Sequence, residues 1–365
     1  MSKISLIMKV SSNCNLACGY CRYLPGSWER NPKSIMENEV LRKSITELMA
    51  ISNKRAEFIW HGGERLLAGQ DFFNEAIEIQ KRNYRSGQRV INCVQTNATL
   101  LNEDWITFFK RKKFQISISL DGPQDIHDCY RVFSSNNKGS FKKVMTAVKL
   151  LRSNNVDFGV LSVLTKESIN KPNEIYDFFI SNGFNRFDFL PCVELERNTG
   201  HLIEPSITTS KFTKFMIKIF DCWLSNDDPN IHIRYFENVL QGILGGKTSL
   251  CKFAGTCSNY LTIEPNGDVY PCDNYIGDGG LKIGNILYDD LDTILKGDNY
   301  AKFLKNVTTV RTECKCCRWY LVCNGGCPHY SYLWNRNFSE TNYFCKARQK
   351  IFKHIESRIK KVIRS

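Results

Sequence analysis

The sequence predicts an α/β fold in which a partial (β/α)6 barrel precedes a smaller, cysteine-rich domain. Strand-like and helix-like runs alternate through roughly the first two thirds of the chain, and the strand-like runs are almost continuously apolar. Such runs are typical of parallel strands that are covered on both faces. Beyond residue 250, glycines, turn residues and nine of the 16 cysteines crowd together. We therefore expect two domains, at residues 1–247 and 248–365.

The strands and helices of the barrel are expected in strict alternation. The strands are predicted at residues 4–10, 56–60, 89–95, 114–120, 158–164 and 186–190, and the helices at 36–51, 71–85, 102–112, 141–154, 172–181 and 210–224. Six units are too few to close an eight-stranded barrel, so we expect an open, TIM-like one. In such barrels the functional groups lie at the carboxyl ends of the strands.

Composition narrows the function class. The 365 residues contain neither an apolar run of membrane-spanning length nor a secretion signal at the start, so we expect a cytoplasmic protein with no membrane partner. Many cysteines in a reducing compartment indicate metal rather than disulfides. The net charge of +13 permits an acidic partner, but no nucleic-acid-binding signature is present, and we expect none bound. The basic residues near the end, Arg348 among them, are interpreted as the solvated face of a terminal helix.

Three thiols follow the first predicted strand. Cys14, Cys18 and Cys21 have C-x3-C-x2-C spacing and lie on the loop at the carboxyl end of that strand. A cubane 4Fe-4S cluster is normally held by four thiolates, so three in one loop leave one iron open for a substrate or cofactor. The alternatives are a zinc loop that lacks one ligand and three buried cysteines.

This loop, with Tyr20 between its last two thiols, resembles the cluster loop of the radical S-adenosylmethionine (SAM) enzymes. The resemblance implies that the open iron binds the amino and carboxylate groups of SAM. One electron from the reduced cluster would then cleave SAM to a 5′-deoxyadenosyl radical, which abstracts a hydrogen atom from an unactivated carbon. The cofactor supplies the chemistry, and the protein supplies position and excludes water.

Further candidates for SAM contacts follow later strands. Gly62, Gly63 and Glu64 are similar to the superfamily's Gly-Gly-Glu element, which holds the SAM amino group, although the family usually continues with proline where this chain has Arg65. By position, Ser119 and Arg131 resemble contacts to SAM hydroxyl and carboxylate groups. Without the resemblance, these residues read as ordinary turn residues and a surface ion pair.

The nine cysteines between Cys251 and Cys345 form a second cysteine field. This field can supply two four-thiolate clusters with one thiol left over, or a pair of zinc ribbons. It contains a hairpin predicted around residues 265–268. The field resembles the SPASM extension of radical SAM enzymes that act on peptides and proteins. That resemblance implies one auxiliary cluster on Cys251, Cys257, Cys272 and Cys327 and a second on Cys314, Cys317, Cys323 and Cys345, with Cys316 spare. The assignment crosses over in sequence, so an exchange of Cys327 and Cys345 between the two sets stays open.

Over nearly its entire length the chain resembles the anaerobic sulfatase-maturating enzymes. In them an aspartate beside an auxiliary-cluster cysteine is proposed to take a proton from the substrate, and Asp273 matches it. Tyr23, two residues past the first cysteine loop, is expected to line the substrate pocket. The alternative interpretation is that Asp273 has only a structural role, in which it caps the hairpin or orients a cluster ligand.

Two substrate readings share these cofactors: SAM and three 4Fe-4S clusters. The run from Trp60 to Glu64, together with the segment from Ile126 to Arg131, looks more like the cyclophane-forming peptide maturases, so the sequence favours crosslinking of a ribosomally made peptide. The alternative is oxidation of a sulfatase Cys or Ser to formylglycine. Either reaction needs a peptide or protein substrate and an electron donor such as flavodoxin or ferredoxin.

Overall fold

A computed structural model describes residues 4–21, 23, 34–195 and 201–364. By their contacts these residues form two compact units, each assembled from separate stretches of chain. The first unit comprises residues 1–119, 131–158 and 257–305, and the second comprises residues 120–130, 159–256 and 306–365. The division near residue 247 that the sequence suggests remains a prediction.

Up to residue 191 the strands and helices alternate as expected, apart from one additional helix at Gln124–Tyr130. The strands are β1 Ser5–Ser11, β2 Arg55–Gly62, β3 Arg89–Thr96, β4 Gln115–Ser119, β5 Phe158–Leu164, β6 Arg186–Pro191, β7 His232–Ile233, β8 Tyr260–Ile263, β9 Asp268–Tyr270 and β10 Gly284–Asn285. The helices are α1 Asn38–Ile51, α2 Gly69–Arg82, α3 Glu103–Lys112, α4 Gln124–Tyr130, α5 Phe141–Ser153, α6 Pro172–Ser181, α7 Thr209–Asn226, α8 Arg234–Ile243, α9 Cys251–Ala254, α10 Leu291–Lys296, α11 Asp298–Glu313, α12 Tyr320–Cys323, α13 His329–Tyr332 and α14 Cys345–Arg364.

The first unit contains a sheet whose strands lie in the order β10-β9-β8-β1-β2-β3-β4. β1 to β4 pair in parallel, as their apolar character predicts. The hairpin of β8 and β9 is also confirmed as antiparallel. The sequence did not reveal that β8 pairs in parallel with β1, where Ser5 lies opposite Tyr260. The start of the cysteine-rich region therefore extends the sheet from which the first cysteine loop leaves.

Aromatic packing fills the helical side of this sheet. Phe73 of α2 contacts Trp105 and Phe109 of α3, with ring centroids 5.6 and 6.4 Å apart. Each such ring pair contributes about 0.5–1.5 kcal/mol beyond its buried area. The Asn102 side chain begins α3 by accepting a hydrogen bond from the Trp105 amide. This packing fixes the strands whose carboxyl ends carry the candidate residues.

In the second unit, β5, β6 and β7 pair in parallel. α7 packs between α6 and α14, and α8 packs against α12. The Thr208 hydroxyl caps α7 by accepting a hydrogen bond from the Lys211 amide. Helix α4, which was not predicted, also belongs to this unit. Within the described part of the chain, no helix is both long and apolar enough to traverse a bilayer.

Candidate active site

The first cysteine loop leaves the carboxyl end of β1, as expected. Cys18 is buried, while Cys14 and Cys21 are partly exposed. The Cys21 amide donates to the Cys18 carbonyl at 2.9 Å, and the Asn97 amide group lies 3.7 Å from Cys14 Sγ. Burial raises the pKa of the Cys14 thiol, which disfavours a free thiolate there. A metal that binds the thiolate would offset this cost.

Two glycines at the end of β2 lie directly against this loop. A Cβ on Gly62, whose φ is +121°, would come within 2.5 Å of the Ser11 carbonyl oxygen, and one on Gly63 would overlap that of Asn13. The Gly63 amide donates to the Ser11 carbonyl at 2.6 Å. Only glycine fits at such an approach. The Gly-Gly pair therefore shapes the backbone that leads into Cys14.

Glu64 is fully buried beside these glycines. Its carboxylate accepts hydrogen bonds from the Thr96 hydroxyl at 3.0 Å, the Asn97 amide at 2.8 Å and the Leu66 amide at 3.1 Å. A carboxylate has about four acceptor positions, so room remains for about one further donor. Glu64 thus ties the end of β2 to the end of β3.

Arg65 stands where the family usually has proline, and the structure gives it a defined place. Its guanidinium is buried and donates to the carbonyl oxygens of Gly62 at 2.9 Å and Gly63 at 2.8 Å. It also lies 3.9 Å from the Glu64 carboxylate. These bonds hold the glycine turn from inside the protein.

Two other candidates for SAM contacts lie within the same unit. The Arg131 guanidinium is buried and stands 5.4 Å from the centre of the Tyr20 ring. The Ala17 amide donates to the Val132 carbonyl, so the segment after Arg131 is paired with the cysteine loop. Ser119, at the end of β4, accepts a hydrogen bond from the Gln95 side chain at 3.0 Å. All these residues thus line the carboxyl ends of β1 to β4.

A buried polar cluster joins β1 to the segment after β9. Lys9 Nζ lies 3.2 Å from Asp273 Oδ1, and the Tyr23 hydroxyl donates to the other oxygen of the same carboxylate. The ammonium also lies 3.2 Å from the centre of the Tyr23 ring, and the His61 ring meets Tyr23 edge-on. The structure therefore brings together the two predicted catalytic residues. It adds Lys9, which the sequence analysis missed.

Lys9 is only 4% exposed. Burial lowers its pKa to about 8, although the Asp273 carboxylate opposes this shift. A charged residue within an otherwise apolar strand was the available signal for this site. The Lys9 ammonium serves to fix the Asp273 side chain through their salt bridge.

Four of the predicted cluster ligands surround one cavity in the second unit. The cavity has a volume of about 260 Å³, and Cys314, Cys317, Cys323 and Cys345 all line it. Among the described residues, no three His, Cys, Asp or Glu side chains converge tightly enough for a single metal ion. Four thiols around a cavity of this size fit a four-iron cluster rather than a single metal ion.

The other predicted set is divided between the two units. Cys257 and Cys272 belong to the first unit, and Cys251 and Cys327 belong to the second. Their grouping on one auxiliary cluster therefore stays a prediction. The spare thiol, Cys316, is exposed and does not line the cavity.

Comparison with known proteins identifies the family. The Radical SAM superfamily model matches residues 8–179, and that of the SPASM iron-sulfur cluster-binding domain matches residues 251–318. A cysteine-type anaerobic sulfatase-maturating enzyme of Clostridium perfringens is 33% identical over 98% of both chains. The chain belongs to the radical SAM superfamily. It is a radical SAM/SPASM maturase, an oxidoreductase that modifies a peptide or protein.

Two further comparisons extend this result. A serine-type sulfatase-maturating enzyme of Bacteroides thetaiotaomicron is 32% identical to this radical SAM enzyme, over 96% of this chain and 88% of that one. A solved structure of native anSMEcpe with bound AdoMet and Cp18Cys peptide has a TM-score of 0.87 and 32% identity, with 98% of each chain covered. The fold expected from the sequence, a partial barrel with a SPASM domain, is confirmed.

The residues present fit the cofactors of a radical SAM enzyme, namely SAM, one SAM-binding 4Fe-4S cluster and two auxiliary clusters. Cys14, Cys18 and Cys21 lie on one loop and form no disulfide, and four further cysteines that form none line one cavity. When bound, the first cluster and SAM supply the radical that abstracts a hydrogen atom. Which side chains contact SAM stays a prediction.

Proposed function

We propose that this enzyme matures sulfatases anaerobically by oxidising a Cys or Ser side chain of the sulfatase to formylglycine. The observation that carries the proposal is the 33% identity to a cysteine-type sulfatase-maturating enzyme, which extends over 98% of both chains. The similarity includes both cysteine fields and the barrel strands between them. It therefore covers the whole catalytic apparatus rather than one cofactor loop.

The reaction sets what the protein has to provide. The Cβ of the substrate loses one hydrogen atom to the radical. The substrate radical then loses one proton to a base and one electron, for which an oxidised iron-sulfur cluster would be the acceptor, and a C=S or C=O bond results. A thioaldehyde formed from cysteine exchanges its sulfur for water oxygen and releases sulfide, whereas serine gives the aldehyde directly. The protein must supply a proton acceptor close to the radical carbon.

Asp273 is the proton acceptor in this proposal. Its carboxylate is 21% exposed, so it combines an interior position with an accessible edge. Lys9 and Tyr23 each hold one of its oxygens. Two fixed partners from different parts of the unit restrict the carboxylate to one orientation, as proton transfer requires.

The sequence favours peptide crosslinking, but the similarity to sulfatase-maturating enzymes supports formylglycine formation better. His61 belongs to the run from Trp60 to Glu64, which is the observation that favours crosslinking. In the structure the His61 ring packs edge-on against Tyr23, with centroids 5.9 Å apart. His61 therefore contacts Tyr23, which itself binds the proposed proton acceptor.

Matched peptides test the proposal. The anaerobically reconstituted enzyme is incubated with SAM, a reductant and a sulfatase peptide that carries Cys, Ser or Ala at the target position. We expect formylglycine from the Cys peptide, the Ser peptide or both, and none from the Ala peptide. Mass spectrometry separates the products, since formylglycine from cysteine loses two hydrogens and exchanges sulfur for oxygen, while a crosslink loses two hydrogens alone.

With the Ser peptide, formylglycine formation and crosslinking both remove two hydrogens and give the same mass. A hydrazide probe distinguishes these products, because it traps only the aldehyde. Formation of 5′-deoxyadenosine with every peptide but no aldehyde would refute the maturase proposal. A product with two hydrogens lost and no hydrazide adduct would favour crosslinking.

The proposal includes a cellular setting. Free thiols and iron-sulfur clusters require a reducing compartment, so we place the enzyme in the cytoplasm. A low-potential donor such as flavodoxin or ferredoxin would supply the electron that reduces the first cluster.

A further inference from the structure

Helix α14 carries two polar side chains that face the four-thiol cavity. Arg348 and Gln349 follow Cys345 at three and four residues, so all three share one face of the helix. Both side chains line the cavity together with the thiols. The sequence interpreted Arg348 as part of a solvated basic face, but the structure leaves it only 6% exposed.

The Arg348 guanidinium is fixed against the cysteine segment of residues 323–327. It donates to the Gly325 carbonyl at 3.3 Å and to the Cys323 thiol. A Cβ on Gly326 would overlap the guanidinium, so this glycine allows it to pack directly on the backbone. Within the described part of the chain, Arg348 Nε has no hydrogen-bond partner. A buried cation with a spare donor beside four thiols lacks an acceptor that a bound cluster would provide.

Gln349 adds an uncharged donor. Its amide nitrogen lies 3.7 Å from Cys345 Sγ and 3.9 Å from Cys317 Sγ. The two side chains together therefore address three of the four thiols. The reduction potential of an iron-sulfur cluster depends on the charge around it and on hydrogen bonds to its sulfurs.

We propose that Arg348 is a positioning residue for the cluster held by Cys314, Cys317, Cys323 and Cys345, and that its charge makes this cluster easier to reduce. Reduction adds one electron and one negative charge to the cluster, with no bond made or broken. A buried cation nearby stabilises the added charge because little solvent screens it. Gln349 acts in the same direction through its hydrogen bonds alone. The proposal goes beyond the maturase function and holds for either product.

The test is a redox titration of the full-length, anaerobically reconstituted protein, followed by electron paramagnetic resonance. A Cys18→Ala background removes the first cluster, and a further Cys314→Ala variant identifies the signal of the cluster in question. The comparison uses Arg348→Met, Arg348→Lys and Gln349→Met. Arg358→Met is the matched control, since Arg358 lies on the same helix and pairs with Asp221 at 3.1 Å.

We expect Arg348→Met to lower the ratio of reduced to oxidised cluster at least tenfold at a fixed potential, which is 59 mV for a one-electron couple. Arg348→Lys should recover most of the shift, and Gln349→Met should give a smaller shift in the same direction. The control and the other auxiliary cluster should keep their potentials. An unchanged potential in Arg348→Met with full iron content would overturn the proposal, as would an equal shift in Arg358→Met.

If Arg348→Met loses the cluster, its potential cannot be measured, and the iron content of the variants is compared instead. Retention of the iron by Arg348→Lys would then support a positioning role for the cation. Loss of the iron in both variants, together with an unchanged potential in Gln349→Met, would contradict it. Because these measurements need no substrate, their result is independent of whether formylglycine is formed.

Discussion

Lys9 Nζ lies 3.2 Å from Asp273 Oδ1, although 264 residues separate them in the chain. The pairing joins the strand that precedes the first cysteine loop to the residue that follows Cys272. The parallel pairing of β1 with β8 brings the two segments together, because β8 leads through a hairpin to Asp273. The candidate proton acceptor is therefore fixed by the same strand that carries the first cysteine loop.

The first prediction separates radical formation from product formation. Asp273→Asn should still form 5′-deoxyadenosine but lose product by about 10²–10⁴-fold, the usual contribution of a general base. Lys9→Met removes one charge-assisted hydrogen bond to the carboxylate, and should lose product by about tenfold or more. Chromatography that quantifies 5′-deoxyadenosine and the modified peptide gives the ratio of radical formation to product formation.

Asp268→Asn is the control for this pair, because Asp268 lies in the same hairpin but binds Lys282. If Asp273→Asn turned over like the wild type, Asp273 would have no role as proton acceptor. Equal loss of 5′-deoxyadenosine and product would indicate damage to the first cluster instead.

The second prediction concerns pH. Burial lowers the pKa of Lys9 from 10.5 to about 8 in the folded protein. Between these values the unfolded chain binds more protons than the folded one, so the free energy of unfolding rises with pH. The contribution of the lowered Lys9 pKa to the free energy of unfolding is complete above pH 10.5 and is lost as the pH falls towards about 8. It amounts to about 3 kcal/mol, because each pKa unit corresponds to about 1.4 kcal/mol.

Lys9→Met has no titrating group at this position, so its thermal midpoint should rise less than that of the wild type between pH 8 and pH 10.5. Lys81→Met, which removes an exposed ammonium paired with Glu78, serves as the control and should follow the wild type. Parallel midpoint curves for the wild type and Lys9→Met would argue against a buried ammonium at this position.

The sequence predicts the barrel strands and the first cysteine loop because their signals are local. Apolar runs mark the strands, and the spacing of Cys14, Cys18 and Cys21 marks the loop. The placement of Lys9 against Asp273 has no local signal, since it follows from strand pairing across about 250 residues of chain. A lysine within an apolar strand could have indicated a buried partner, but not which one.

Arg348 shows a second limit of the same kind. It stands among many basic residues of a helix with solvated neighbours, and nothing in the helical pattern distinguishes it. Its burial depends on Gly326, because any Cβ there would displace the guanidinium. The three-residue step from Cys345 was the available signal, since it places Arg348 on the same helix face as a candidate ligand.

The third prediction tests how Gly63 shapes the cysteine loop. Gly63→Ala should displace the Asn13 backbone, because the added Cβ would overlap the Asn13 carbonyl. We expect the reconstituted protein to lose the first cluster and keep the auxiliary ones, which is a loss of about a third of its iron. Gly279→Ala is the control, since a Cβ there meets nothing within 4 Å. Iron retention with unaltered SAM binding in Gly63→Ala would show that the loop tolerates the change.

The fourth prediction tests the open iron itself. Cys18→Ala should abolish reductive cleavage of SAM, because Cys18 is the buried thiol of the loop and two thiolates cannot hold the cubane in place. The iron content should fall from about 12 to about 8 atoms per chain, with both auxiliary clusters retained. Cys316→Ala is the matched control, since Cys316 is exposed and lies outside the four-thiol cavity, and it should keep all its iron and its activity. Persistent cleavage of SAM by Cys18→Ala would place the open iron elsewhere in the protein, since a cluster without that loop could not bind the cofactor.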